Sequence, residues 1–185
     1  MRAQTVIALV FAPTALFAQA FHNGSFNEGK FSKGTPAVQV AAGSKIIVGW
    51  RVTGSVDWIG SLWRASDGQG SIDLSGTGPG TLSQTFSTRV GRRYLVSFNL
   101  AGNAEGAPEV KKMTVRAGTT KPQFYTFSVR GHSDGNMGWV ARTYAFVAYK
   151  SKSTLTFTSL SNSACGPALC HVRVTEYMPP KVRRR

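Results

Sequence analysis

Three aspartates, Asp57, Asp67 and Asp73, fall within one short segment that also carries Trp58 and Trp63. The whole chain holds only 8 acidic residues against 22 lysines and arginines, so this concentration is notable. Paired carboxylates can hydrolyse a glycoside, one as acid and the other as base or nucleophile. Beside an indole, the same groups can instead hold a sugar: carboxylates and amides bond its hydroxyls while the aromatic ring covers its apolar face. A third role is structural, with Asp67-Gly68 forming a turn and the other two carboxylates accepting backbone hydrogen bonds. The structural role outweighs hydrolysis. Trp139 joins Trp58 and Trp63 as a stacking candidate, although burial in a core competes for the latter two. Asn103 either lines the same rim or makes a turn. Trp50 lies between Val48 and Val52 in a β-rich run, Lys45 to Val52, and is expected to face the core with them.

Other nucleophiles and ligands carry weaker signals. Gly131-His-Ser133-Asp-Gly135 matches the G-x-S-x-G pattern of a hydrolase elbow, which needs a strand before it and a helix after it. Here an alternating, strand-like stretch follows, and His171 precedes Glu176, so the order of partners is poor. No catalytic residue is assigned. Cys165 and Cys170 form either a bridge around Gly166-Pro167 or two buried thiols. A metal site built from both cysteines and His171 ranks lower, because no second ligand cluster accompanies it. Asn23-Gly-Ser25 is a formal glycosylation sequon.

The elements that must position these groups are strands. Thr81 to Thr88, Arg93 to Leu100, Met113 to Ala117 and Tyr125 to Val129 alternate with period two, as do stretches around Phe146, Phe157 and Val172. Gly, Pro, Asn and Ser fill the gaps, and no useful length holds a helical period. Half-buried antiparallel strands in this number predict an all-β sandwich or jelly roll.

Both ends differ from the middle. Arg2, an apolar run to Phe17 and the small residues Ala18-Gln-Ala20 have the layout of a secretory signal, so residues 1–20 are expected to be removed on export. Residues 21–178 then form one domain, followed by a basic tail at 179–185. No later stretch reaches the roughly 20 apolar residues of a spanning helix. A formal charge of +14 and a pI near 10.5 imply attraction to polyanions. For an exported protein these are acidic polysaccharide or an anionic surface rather than a specific nucleic acid.

An ordered series of motifs narrows this further. Asn23-Gly-Ser-Phe26, Ile46-Ile-Val-Gly-Trp50, Gly54-Ser-Val-Asp-Trp-Ile-Gly60, Trp63-Arg-Ala-Ser-Asp-Gly68 and Ser71-Ile-Asp-Leu-Ser-Gly76 come first. Phe98-Asn-Leu-Ala-Gly-Asn103, Asn136-Met-Gly-Trp139 and Cys165-Gly-Pro-Ala-Leu169 follow. The series resembles the choice-of-anchor C family of bacterial exported proteins, and is similar to plant cell-wall proteins with the domain of unknown function 642. The resemblance implies a galactose-binding-like jelly roll in a cell-surface or cell-wall setting, with a non-catalytic role in binding polysaccharide. The residues expected to bind are Asp57, Trp58, Trp63, Asp67, Asp73, Asn103 and Trp139. Similar jelly rolls hold a structural calcium between an acidic residue near the start and an aspartate on the last strand. This chain has Asn27 and Cys170 at those places, and a thiol suits a hard cation poorly. The sorting anchor implied by the family name has no counterpart in the Pro-Pro and Arg-rich end, which favours a soluble exported protein.

Overall fold

The computed structural model describes residues 20–29, 34–67 and 70–177. The segment read as a signal, apart from Ala20, and residues 178–185, which include the expected basic tail, lie outside the described residues. Eleven strands appear in chain order: β1 (Ala37–Ala41), β2 (Arg51–Thr53), β3 (Ser55–Ile59), β4 (Ser71–Asp73), β5 (Thr81–Ser87), β6 (Arg93–Gly102), β7 (Val110–Ala117), β8 (Gln123–Ser128), β9 (Val140–Val147), β10 (Lys152–Ser159) and β11 (Pro167–Glu176). Their pairings are antiparallel and build two sheets, one ordered β1-β3-β4-β11-β6-β9 and the other β2-β5-β10-β7-β8. No helix occurs among the described residues, and none is long and apolar enough to cross a membrane.

Period-two alternation carries the two sheets together. Val96, Phe98 and Leu100 of β6 turn inward, as do Met113 and Val115 of β7 and Leu155 and Phe157 of β10. Phe98 meets Phe157 edge-on across the sandwich, with ring centroids 5.4 Å apart. A face-to-face pair of sheets hides one side of each strand, which is why alternation in the sequence marks these strands well.

Three expectations change. Lys45 to Val52 is not one strand: Ile47 makes an isolated bridge to Gly29, Arg51–Thr53 pairs as β2, and Gly49 between them takes a positive φ of 81° that breaks the alternation. Trp50 and Val52 are buried, whereas Val48 is 41% exposed and does not join them. The last strand also does more than alternate. Between Cys170, opposite Asn99, and Arg173, opposite Ser97, the register slips by one residue. His171, at φ 53°, absorbs the extra residue as a bulge.

Finally, Cys165 and Cys170 are not bridged. From Pro167 onward the chain between them is extended strand rather than a closing loop, so the two thiols part. Cys170 is fully buried and burial pushes its thiol up to about 11; burial raises Cys165 as well. Non-reducing mass spectrometry after denaturing alkylation is therefore expected to count two labelled thiols. One thiol labels in the native state at most, because Cys170 is shielded.

Candidate functional site

The loop between β3 and β4 folds over the outer face of the six-stranded sheet. The Trp63 indole donates to Ser71 Oγ at 2.9 Å. Ser66 Oγ lies 3.1 Å from Cys170 Sγ and accepts from Asn99 Nδ2. Asp67 then reaches the bulge, its carboxylate 2.8 Å from His171 Nδ1. The bulge thus aims a ring at the loop that a regular strand would have directed elsewhere.

A second loop, between β8 and β9, approaches from the other side. Ser133 and Asn136 exchange backbone hydrogen bonds, and Gly138 turns the chain at φ 62°. A side chain at this φ is strained, and a Cβ at Gly138 would stand 2.1 Å from the His132 ring and push it aside. The turn delivers Trp139, whose indole donates to the Arg64 carbonyl at 3.0 Å and ties the two loops together.

Between them lies an open cleft of about 630 Å³. Trp139, Arg64, Asp67, Asp134 and Asn136 line it, with the buried Met137 beneath. An apolar ring beside carboxylate, amide and guanidinium groups matches the chemistry of a polyol site. Burial, and then the neighbouring Glu105, raise the Asp134 carboxyl above its ordinary value.

Of the sequence-predicted residues, this cleft unites Asp67 and Trp139. The rest are placed otherwise. Trp58 and Trp63 are 2% and 3% exposed, so neither indole offers a face to a sugar. The Trp58 indole donates to the Phe26 carbonyl at 2.8 Å, fastening the opening Asn23–Phe26 loop. Asp73 is fully buried: the backbone N–H groups of Ser75 and Gly166 and the Asn103 amide donate to it at 2.9, 3.0 and 2.9 Å. Asn103 is therefore part of a clamp rather than a rim. Asp57 stands opposite Asp73 on the neighbouring strand, half-buried and raised by burial. A substrate cannot reach the Asp57–Asp73 pair as two working carboxylates. The sequon residue Asn23 is also buried, its amide bonded to the Glu28 and Val48 carbonyls.

Arg64, Asp134 and Asn136 carry no sugar-binding signal in the sequence, and His171 stands out there only as a candidate metal ligand. Asn136 lies in a motif beside Trp139, but only the approach of the two loops makes it a lining residue. The Gly131–Gly135 stretch lacks the elbow context, since β9 follows it rather than a helix. No group of three metal-ligating side chains occurs among the described residues. Cys170, protonated and packed beneath Ser66, does not suit calcium. A further hollow of about 650 Å³ borders Phe21, Phe86 and Tyr94, but its carboxylate, Glu176, is held by Arg89 at 2.7 Å.

Comparison with known proteins decides the family. The family described as protein of unknown function (DUF642) matches residues 19–175. The chain belongs to the DUF642 family. A curated relative, Halomucin of Haloquadratum walsbyi (strain DSM 16790 / HBSQ001), is 31% identical over 180 residues, covering 94% of this DUF642 chain. The chain spans only 2% of that relative's length. Among solved structures, TmCBM61 in complex with beta-1,4-galactotriose has a TM-score of 0.51 at 13% identity, covering 86% of this chain and 99% of that one. A CBM4 structure has a TM-score of 0.51 at 16% identity, over 84% and 99% of the two chains. These likenesses show that the DUF642 chain has the jelly-roll sandwich of carbohydrate-binding modules.

Proposed function

We propose that this protein is an exported, non-catalytic binder of cell-wall or extracellular polysaccharide, gripping a sugar in the cleft between the 64–67 and 134–139 loops. The reading rests on the half-buried Trp139 ring standing over a cleft lined by Asp67, Arg64 and Asn136. An indole covers the C–H face of a pyranose while the polar groups exchange hydrogen bonds with its hydroxyls. The fold shared with carbohydrate-binding modules supports it, as does the motif series that resembles choice-of-anchor C proteins. Export with cleavage after Ala20 belongs to the same proposal, with residues 21–178 as the working domain.

The test is affinity electrophoresis of residues 21–185 through gels holding neutral glycans, β-1,4-galactan among them. Trp139→Ala is expected to lower affinity tenfold or more, about 1.4 kcal/mol. Asp67→Asn should lower it by less. Retardation unchanged by Trp139→Ala would remove the cleft from the reading. A second reading, electrostatic adhesion to polyanions, is favoured by the excess of 22 basic over 8 acidic residues. Such binding would fade as salt rises, whereas stacking in the cleft would persist.

A further inference from the structure

The outer face of the five-stranded sheet has a composition unlike the rest of the surface. None of its strands contains an aspartate or glutamate. Register places its outward side chains in rows across the strands. One row runs Arg51, Ser83, Thr156, Arg116. The next runs Thr53, Thr81, Thr158, Thr114 and ends at Phe124 on β8. Lys112 and Lys152 stand on the same face, and no ion pair involves either lysine or arginine among the described residues.

Two pairs of hydroxyls on this face hold each other in place. Thr81 Oγ1 donates to Thr158 Oγ1 at 3.2 Å, and Thr85 and Thr154 share a bond of 2.8 Å. Arg51 and Arg116 stand on either side of a trough of about 590 Å³ floored by these groups. Three strand spacings separate their backbones, about 14 Å. Solvated sheet faces ordinarily intersperse both signs of charge. This one carries a single sign on a β-branched, preorganised hydroxyl lattice.

We infer that this face is a second binding surface, separate from the cleft, whose ligand is an acidic polysaccharide. The guanidinium forks of Arg51 and Arg116 suit carboxylate or sulfate groups, which accept two parallel N–H bonds. The threonine and serine rows between them exchange hydrogen bonds with ring hydroxyls. Phe124, 70% exposed at the end of its row, covers the apolar face of a sugar. A single-stranded nucleic acid would call for a run of aromatics on which successive bases stack, whereas Phe124 is the single outward aromatic on these five strands. The ligand class rests on the glycan-binding reading above, but the location does not depend on Trp139.

Affinity electrophoresis in polygalacturonate and in dextran sulfate tests the inference, with neutral β-1,4-galactan run in parallel. The wild-type chain should be retarded by at least one of the two acidic polymers, and less so as salt rises. Arg51→Gln with Arg116→Gln should lower that affinity at least tenfold while leaving thermal unfolding unchanged, since both side chains are exposed. Phe124→Ala should lower it several-fold. Trp139→Ala should leave it intact, which separates failure of this surface from failure of the cleft. The inference is overturned if neither acidic polymer retards the wild type, or if the arginine pair can be replaced without loss. Equal or tighter binding of single-stranded DNA or phosphatidylglycerol vesicles through the same arginines would overturn it too, because the face would then not select polysaccharide.

Discussion

Replacing Asp73 with alanine is expected to destabilise the fold by roughly 3–5 kcal/mol, because three buried donors lose their shared acceptor at once. Asp73 lies at the end of β4, opposite Ala168 of β11, with no solvent access. Its two oxygens gather the Ser75 and Gly166 backbone N–H groups and the Asn103 amide. Truncation leaves three buried donors without an acceptor, each costing about 1–3 kcal/mol in isolation. For a domain of this length the thermal midpoint should drop by roughly 10 °C.

Asp73→Asn separates charge from shape. The carbonyl oxygen can still accept from Ser75 and Gly166, but the new NH2 meets the Asn103 amide donor to donor. A loss of roughly 1–3 kcal/mol follows. Burial pushes the Asp73 carboxyl up to about 7, against the pull of its three hydrogen bonds. The folded state then holds this proton more tightly than the unfolded chain, whose carboxyl titrates near 3.8. The stabilisation is complete below about pH 4 and is lost as pH rises through about 7. Urea unfolding of wild type and Asp73→Asn at pH 4.5 and pH 8 should therefore show the wild type losing its advantage at the higher pH. A difference that does not vary with pH would mean the carboxyl stays ionised throughout.

Lys111→Met carries the second large effect. Lys111 is fully buried on the inward side of β7, and its ammonium donates to the Gly106 and Cys165 carbonyls at 2.6 and 2.8 Å. Burial draws its pKa below the ordinary lysine value. Methionine replaces the aliphatic stem but not the donor, so two carbonyls lose a charge-assisted partner and stability falls by roughly 2–4 kcal/mol. Asp73 and Lys111 come from opposite sheets and fasten the same two loops, 103–106 and 165–166. Hydrogen exchange should consequently quicken in those loops first in Lys111→Met, while amides of β6 and β10 keep their protection. The double variant should lose less than the sum of the singles, by about 0.5–3 kcal/mol. Strict additivity would show that the two clamps act independently.

Part of this fold is legible in the order of residues alone, and the reason is local. On β6, β7, β8 and β10 one side faces the core and the other water, so the alternation of Tyr94, Val96, Phe98 and Leu100 marks the strand by itself. β4 carries no such mark. Ser71, Ile72 and Asp73 are all buried, because loops cover the outer side of that sheet. The threonine rows are visible as alternating Thr and Ser on β5 and β10, yet their alignment with Arg51 and Arg116 depends on pairing between distant segments.

The same division runs through the candidate site. Residue types and spacing bring out the aspartates and tryptophans, and chain order alone brings out the family and the all-β jelly roll. Spacing does not tell a stacking indole from a packed one, since Trp63 and Trp139 read alike until one lies under a loop and the other over a cleft. Nor does it show that Asp73 serves a clamp while Asp67 meets His171, which needs a one-residue slip in β11. Alternation is a property of neighbours in the chain, and sequence determines it directly. Which carboxylate is sealed and which meets solvent is set by segments 30 to 104 residues apart, and only the tertiary structure decides that.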